Sequence, residues 1–319
     1  MSKYRTAESV SPKHPDKLCD QISDAILDAC LAKEPKSRVA VEAAGGHGKV
    51  FITGEVTSDA QINVKKIARR IAGNVTVVSH IAKQSPGIAA GVDRGGAGDQ
   101  GIMVGYATDQ TPDMLPPETV LARSLNQFVF EYWPYDGKTQ ITLRDGKIVA
   151  VVASFQHAQA ADLRGLIAQW ISDKPKSRKY KVHANPSGDW TQGGFDADAG
   201  LTGRKLVVDN YGPHIPVGGG AFSGKDPSKV DRSAAYMARR IAVDNLRAAK
   251  AEEVFCYLAY AIGVAEPVEA TLLVDGKSKP VTGYDLTPAG IRKYLGLDRP
   301  IYEQTARWGH FGHGFAWDN

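Results

Sequence analysis

Hydrophobic and polar positions follow helical and strand periods in an order that recurs along this chain. Near the N-terminus, apolar residues at helical spacing predict a helix from about Pro15 to Leu31 and another over Asp59–Ala72. Between them, two apolar runs containing valine and isoleucine predict strands over Arg38–Ala43 and Lys49–Val56. This first segment therefore has the order helix, strand, strand, helix.

The same order recurs twice more at a spacing of about 100 residues, which is an ordinary size for a domain. The second segment is predicted to contain helices Pro117–Tyr132 and Ala158–Ile171 and strands Thr139–Leu143 and Lys147–Phe155. The third is predicted to contain helices Pro227–Lys250 and Thr287–Leu295 and strands Glu253–Ile262 and Ala270–Val274. We therefore predict an α+β fold of three similar units in a pseudo-threefold arrangement, each an antiparallel sheet covered by helices, over residues 1–87, 96–190 and 193–319.

Composition places the chain among ordinary globular proteins, with 43% hydrophobic and 23% charged residues in 319. The net charge is only +4, and the one dense basic run, Lys174–Lys181, is expected to be a solvated loop, so no nucleic-acid partner is expected. The three cysteines form no metal-binding spacing and are predicted to be free thiols in a reducing compartment. Because no signal peptide or membrane-length apolar run is present, we expect a cytoplasmic protein without a membrane partner.

A glycine-rich loop, Gly218–Gly224, precedes the long predicted helix of the third segment and carries the strongest signal for ligand binding. Its four glycines would let the backbone approach a ligand closely, and Lys225 lies beside a helix N-terminus, which attracts anions. The loop matches most of the P-loop pattern, but Asp226 stands where that pattern needs a hydroxyl group. The alternative is an ordinary loop leading into a helix that is capped by Asp226 and has Pro227 at its first position.

Charged residues in two other places could serve the same ligand. In the run His14–Lys17, the histidine could donate a hydrogen bond to an anion, Lys17 could add positive charge and the aspartate could bind a metal ion. Such residues are also common at helix starts. Glu42 and Glu55 are single acids inside predicted strands, where alternation also allows them simply to face solvent.

Two further loops have an ambiguous pattern. The run Gly96–Gly101 matches the dinucleotide fingerprint, but it precedes a predicted strand over Ile102–Tyr106 rather than a helix, so we reject that interpretation and predict a mobile gate carrying Asp99. Downstream, Trp190 follows a turn and could stack on a base, or it could be an ordinary packed tryptophan.

Together and in this order, the motifs closely resemble the S-adenosylmethionine synthetase family from one end of the chain to the other. The matching segments are Glu8–Ser11, His14–Lys17, Lys83–Pro86, Gly96–Gly101, Asn185-Pro186, Gly200–Lys205, Gly218–Ser233, Tyr260–Pro267 and Gly309–Gly312. The resemblance implies the fold of that family and a methionine adenosyltransferase, in which the methionine sulfur attacks C5′ of ATP and the triphosphate is then hydrolysed to phosphate and diphosphate. It also implies a homodimer with active sites at the subunit interface, with a dimer-of-dimers tetramer as the larger alternative.

The resemblance also implies roles for individual residues. It implies catalytic roles for His14, which would contact the triphosphate at the breaking bond, and for Lys225, Arg204 and Asp99. It implies ATP contacts for His14, Asp136, Lys138, Trp190, Arg204, Lys205, Ala221 and Lys225. It implies methionine and sulfonium contacts for Glu55, Gln84, Asp99, Asp198 and Lys229. It implies two Mg²⁺ ions per site, held by Asp16 and Asp231, and a K⁺ ion at Glu42.

The chain departs from the family pattern in two respects. Asp189 stands where the family usually has an arginine before the adenine-stacking aromatic residue, and the chain is short, with a trimmed connection over Gly87–Gly101 and trimmed segments before Asp136 and Asn185. Two alternatives to a synthetase remain: a non-catalytic regulatory subunit of a synthetase, and a Mg²⁺-dependent triphosphatase. Retention of the charged motif residues favours the synthetase.

Overall fold

The computed structural model describes residues 3–83 and 95–319, so Gln84 and most of the trimmed connection Gly87–Gly101 lie outside the described residues. The strands are β1 (Tyr4–Val10), β2 (Arg38–Gly46), β3 (Lys49–Thr57), β4 (Thr76–Ala82), β5 (Gly101–Thr108), β6 (Gly137–Arg144), β7 (Lys147–Phe155), β8 (Lys176–Ala184), β9 (Gly200–Leu201), β10 (Glu253–Tyr260), β11 (Glu269–Val274) and β12 (Lys277–Pro280). The α-helices are α1 (Pro15–Leu31), α2 (Val64–Ala72), α3 (Pro117–Phe130), α4 (Ala160–Trp170), α5 (Leu206–Asp209), α6 (Val230–Ala249), α7 (Pro288–Leu295) and α8 (Thr305–Trp308).

The strands form three four-stranded sheets, and the predicted α+β class with three helix-covered sheets is confirmed. The orders are β4-β3-β2-β9 in the first sheet, β1-β6-β7-β8 in the second and β12-β11-β10-β5 in the third. Most neighbours are antiparallel, as predicted, but β4 and β8 each pair in parallel with the strand before them. A helix leads into each of these two edge strands, which is the connection that parallel pairing needs.

Each sheet contains one strand from another segment of the chain, which the periodicity did not predict. β1 pairs with β6 of the second segment, β5 pairs with β10 of the third, and β9 pairs with β2 of the first. The glycine loop extends the same edge of β2, since Val41 N donates to Gly224 O at 3.1 Å and Asp226 N donates to Val39 O at 2.9 Å. Residues far apart in sequence therefore meet around the edge of the first sheet.

The helices cover the sheets with apolar faces. One core joins the first and third sheets through α1 and α6, and a separate core under α3 and α4 covers the second sheet. Helix α6 lies so close to β5 that a methyl group at Gly105 would stand 2.0 Å from the carbonyl oxygen of Ala238. No helix in residues 3–83 and 95–319 has both the length and the apolar character that a membrane crossing requires.

Three predictions from the sequence are wrong in detail. The basic run expected to be a loop is largely strand β8, an edge strand, where charged side chains protect against unwanted pairing with another sheet. Helix α2 begins at Val64 rather than Asp59, because Asn63 caps it by accepting a hydrogen bond from Lys66 N. Helix α6 begins at Val230 rather than Pro227, because Asp226 instead closes a turn by accepting from Ser228 N. Strands β1, β4, β8, β9 and β12 were missed.

Candidate active site

His14 stands at the start of α1, where one ring nitrogen makes a structural contact and the other can donate to a ligand. Its Nδ1 accepts a hydrogen bond from Asp16 N at 3.1 Å, which caps the helix. Burial, and then the charge of Lys205, lower the pKa of His14 to about 4, so the ring is neutral near pH 7. Because Nδ1 is an acceptor, the proton of the neutral ring lies on Nε2, which can donate to an anion.

Asp16 is the point at which α1 meets the turn after β9. It is 1% exposed, and it accepts hydrogen bonds from Leu201 N at 2.9 Å, Arg204 Nε at 2.8 Å and Lys205 Nζ at 2.5 Å. Burial opposes ionisation, but the hydrogen bonds from Lys205 and Leu201 outweigh it and lower the pKa of Asp16 below its ordinary value. An ionised carboxylate therefore holds two cations side by side.

A buried charge network supports this turn from the core side. Of its residues, only Lys17 was singled out in the sequence, as a charge for the ligand, but Lys17 is fully buried and its charge is directed at two aspartates. Asp20 accepts from Gly203 N at 2.8 Å, while Lys17 donates to Asp20 at 3.2 Å and to Asp209 at 2.6 Å. Burial, and then the second carboxylate of Asp209 acting against Lys17, leave the pKa of Asp20 raised to about 6. The signal that could have revealed them is the placement of Lys17 and Asp20 one turn apart on the buried face of α1.

The glycine loop lies against this turn and against α6. A methyl group at Gly203 would stand 2.6 Å from the Ala221 side chain, and one at Gly220 would stand 2.2 Å from Asp231 Oδ1. Only glycine fits positions with such close approach. The glycine loop, which the sequence predicts to bind a ligand, therefore lies between the Arg204–Lys205 turn and the first turn of α6.

Two lysine–aspartate pairs flank the start of α6. Lys225 Nζ donates to Asp231 Oδ2 at 2.5 Å, and Lys229 Nζ donates to Asp226 Oδ2 at 2.5 Å. Asp226 is 1% exposed and also accepts from Val39 N at 2.6 Å, so its role is to hold the loop on β2. Asp231 is 9% exposed and lies next to Gly220.

We refer to the neutral donor His14, the cations Arg204, Lys205 and Lys225 and the carboxylates Asp16 and Asp231 as the cationic cluster. A cavity of about 490 Å³ opens beside it and is lined by Glu8, Gln140 and the Gly203–Val208 turn. Lys138 pairs with Glu8 at 2.7 Å, so a predicted ATP contact lies near the rim. Glu8 had no assigned role; its place in β1, which pairs with β6, brings it there.

Asp136 and Trp190 both contact the pair Gly193-Gly194. Asp136 accepts from Gly194 N at 2.9 Å, and burial raises its pKa. The charges of Lys205 and Asp198 act on the pKa of Asp136, and that of Asp198 acts on His14 as well, so these groups share one electrostatic environment. Trp190 is half-buried and packs against Gly193, where a methyl group would stand 2.8 Å from the indole.

Three other predicted site residues, Glu42, Glu55 and Asp99, lie outside the cationic cluster of this chain. Glu42 and Glu55 occupy one face of the first sheet, since Glu55 pairs with Ala40, two residues from Glu42. Asp99 is exposed, two residues before Gly101, where a methyl group would stand 3.3 Å from Asp231 Oδ1. In the described part of the chain, no hydrogen bond or ion pair joins Glu42, Glu55 or Asp99 to the cluster.

The fold and the cationic cluster define an α+β protein of three helix-covered sheets with a site suited to a phosphate-bearing anion. Sequence models of the S-adenosylmethionine synthetase N-terminal, central and C-terminal domains match residues 2–86, 94–190 and 192–319 in that order. The chain therefore belongs to the S-adenosylmethionine synthetase family, and the resemblance found in the motifs is confirmed.

Individual relatives agree over nearly the whole chain. It is 41% identical to an S-adenosylmethionine synthase of Brachyspira hyodysenteriae over 375 positions, covering 99% of this chain and 95% of that protein. It is 43% identical to an S-adenosylmethionine synthase 1 of Frankia casuarinae over 381 positions, covering 98% and 95%. Both alignments are longer than the 319 residues of this chain, so the chain lacks segments that these relatives have.

Proposed function

We propose that the chain is a methionine adenosyltransferase that forms S-adenosylmethionine from ATP and L-methionine and then hydrolyses the triphosphate to phosphate and diphosphate. The observation that carries the proposal is the cationic cluster, where a neutral histidine and two lysine–aspartate pairs meet around a glycine loop. Family membership and relatives named S-adenosylmethionine synthase support the same activity.

The residues of the cluster suit a reaction whose difficulty lies in the leaving group. A thioether sulfur is a neutral nucleophile without a proton to remove, so the site needs no general base. Triphosphate leaves C5′ with growing negative charge, which prepositioned donors and cations stabilise. In this proposal Nε2–H of His14 donates to the oxygen that leaves C5′, while Arg204, Lys205 and Lys225 bind the phosphate oxygens near Ala221.

Magnesium fits the two carboxylates of the cluster. Asp16 and Asp231 each already bind a lysine ammonium, which marks both as places where positive charge is favourable. Within residues 3–83 and 95–319 no group of three or more metal-binding side chains occurs, so phosphate oxygens and water would complete the coordination, as is usual for Mg²⁺. The two ions would neutralise the leaving triphosphate.

The methionine side is proposed to consist of Glu55, Gln84, Asp99, Asp198 and Lys229. Carboxylates near the sulfur would stabilise the positive charge of the sulfonium product, and Lys229 would bind the methionine carboxylate. The exposed carboxylate of Glu42 is proposed as the K⁺ ligand, since potassium prefers oxygen ligands.

A homodimer would complete this site. Phe51 and Val78 are 52% and 49% exposed and lie on the same face of the first sheet as Glu42, where a second subunit would cover them. This arrangement would also explain why Glu42 and Glu55 do not reach the cationic cluster of their own chain. The three cysteines are free and buried, which supports the proposed cytoplasmic location.

The test is to incubate the protein with ATP, L-methionine, Mg²⁺ and K⁺. Methionine-dependent formation of S-adenosylmethionine with orthophosphate and diphosphate is expected. ATP consumption that does not depend on methionine would instead indicate a triphosphatase, and no turnover would indicate a regulatory subunit. Asp231→Asn should raise the Mg²⁺ concentration needed for activity, whereas Asp244→Asn, which breaks an ion pair with Arg240 on the same helix, should not.

A further inference from the structure

Asp189 caps a helix that begins 29 positions earlier in the chain. Helix α4 starts after Gln159, whose side chain makes no capping hydrogen bond. Instead, Asp189 Oδ1 accepts from Ala160 N at 2.9 Å. A negatively charged acceptor at this position satisfies a backbone amide that has no partner within the helix. It also interacts favourably with the positive end of the helix dipole. The carboxylate is therefore directed at α4.

The turn before Asp189 is anchored to the end of β7 by Asn185. Its Oδ1 accepts from Phe155 N at 2.9 Å, and its Nδ2 donates to Ala158 O at 2.7 Å. The turn closes on itself through Gly188 N and Asn185 O at 2.9 Å. Asn185 is 4% exposed, so this anchor is part of the interior.

The residues after Asp189 are anchored along the same connection between β7 and α4. His157 N donates to Trp190 O at 2.8 Å, and Gln156 Nε2 donates to Thr191 O at 2.8 Å. The run ends where Gly194 N donates to Asp136 Oδ2 at 2.9 Å. Trp190 is therefore held between the cap on α4 and Asp136, a predicted ATP contact.

We propose that Asp189 is a positioning residue for the nucleotide end of the site: its bond to the α4 N-terminus holds Trp190 in place beside Asp136. The inference rests on the proposed function, in which the Trp190 ring stacks on adenine. In this inference the charge of Asp189 serves α4 rather than ATP, since Oδ1 accepts from Ala160 N at 2.9 Å and from Asn185 Nδ2 at 3.4 Å.

The experiment compares Asp189→Ala, which removes the cap, with Asp189→Asn, which keeps an oxygen acceptor and removes the charge. The dissociation constant of Mg·ATP is measured by titration calorimetry, and the KM for ATP and for methionine by turnover. Asp189→Ala should weaken ATP binding about fivefold, the size of a lost cap, with a smaller change in kcat. Asp189→Asn should stay within about twofold of the unaltered protein, since the acceptor remains.

Two controls separate positioning from a general loss of stability. Thr287→Ala removes the side-chain cap of α7, where Thr287 Oγ1 accepts from Gly290 N at 3.1 Å, and should leave ATP binding unchanged. In a Trp190→Ala background, Asp189→Ala should cause no further loss of ATP affinity, because its effect passes through the indole.

The inference is overturned if Asp189→Ala binds ATP normally, or if Asp189→Asn weakens ATP binding as much as Asp189→Ala does. It is also overturned if Thr287→Ala weakens ATP binding equally, or if the losses of ATP affinity from the Asp189 and Trp190 changes add. Calorimetry keeps this result separate from the proposed reaction. A protein that shows the expected ATP affinities but forms no S-adenosylmethionine would contradict the proposed function and support the positioning role.

Discussion

At the scale of single residues, several side chains combine a structural contact with a proposed chemical one. His14 is the clearest case, because one ring nitrogen caps α1 and the other is left to donate. Asp16 likewise binds the backbone of Leu201 and the two cations next to it. The role of the histidine at the helix start is therefore confirmed, and its role as a donor to an anion stays a prediction.

Replacing His14 by asparagine should separate its two roles. Asparagine is a good N-cap, so the free energy of unfolding should change by less than about 1 kcal/mol. The donor on Nε2 is lost, and kcat should fall about 100-fold or more, as for removal of a prepositioned donor. Urea unfolding and steady-state turnover measure the two effects, and His14→Ala is the comparison that loses both. Unchanged kcat in His14→Asn would contradict the donor role.

The buried carboxylate of Asp20 should make stability depend on pH. Its pKa is raised from 3.8 to about 6, so between these values the folded chain keeps a proton that the unfolded chain has lost. Its contribution to stability is complete below pH 4 and is lost as the pH rises through about 6. Relative to Asp20→Asn, the free energy of unfolding of the unaltered protein should therefore fall over this range, by at most about 1.4 kcal/mol per pH unit. Urea unfolding at pH 4.5 and pH 7 checks this, and a constant difference would contradict it.

At the scale of elements, close contact between helices and strands decides which glycines are required. The carbonyl of Ala238 in α6 leaves no room for a side chain at Gly105 in β5, and Gly200 in β9 meets the backbone of Pro15 in the same way. Gly165 in α4, by contrast, has no atom within 4 Å of the position that a methyl group would take. Periodicity identified the three helices and β5, but not β9, and it does not show which positions face each other.

Alanine should therefore have opposite effects at Gly105 and Gly165. At Gly105 it would force α6 away from β5, and the free energy of unfolding should fall by about 2 kcal/mol or more, in the range of overpacked sites. At Gly165, in the interior of α4, it should rise by about 0.5–1 kcal/mol, because alanine has the better helix propensity. Thermal and urea unfolding of the two variants provide the measurement. Similar effects at both positions would contradict the close approach of α6 to β5.

At the scale of the whole molecule, one buried ion pair connects distant parts of the chain. Arg232 in α6 donates to both oxygens of Asp24 in α1, at 2.6 and 2.9 Å, and both side chains are fully buried. Asp24 also accepts from Gly224 N at 2.8 Å, and Arg232 donates to Thr305 at 3.1 Å. The pair thus holds the glycine loop on the interface between the first and third sheets.

Removing one member of this pair should be costly, since it leaves the other charge buried without compensation. Arg232→Met should lower the free energy of unfolding by about 3–5 kcal/mol. Asp24→Asn combined with Arg232→Met should be less destabilising than the sum of the two single changes, because no buried charge remains. Urea unfolding of the four proteins completes the cycle, and additive effects would contradict direct pairing.

The fold class was predictable because helical and strand periods survive in most of these segments. The prediction failed for β8, where lysine and arginine outnumber apolar residues and an edge strand needs little burial. It also missed β1, whose partner β6 lies more than a hundred residues away, since periodicity does not identify the partner of a strand. For the site, the motifs singled out His14, Asp16 and the cations. They assigned Lys17 to the ligand, and its pairing with Asp20 and Asp209 in the interior was not foreseen.

The sequence by itself determined the class of fold, the family and the residue types at the site, because local periods, glycine runs and charged motifs are written in consecutive positions. The tertiary structure alone decided which of these residues meet. The exchange of strands between the three segments brings the turn after β9 and the glycine loop to one edge of β2, where Asp16 and Asp231 each receive a lysine. These contacts depend on strand pairing and packing between distant segments, and a pattern in consecutive residues carries no information about either.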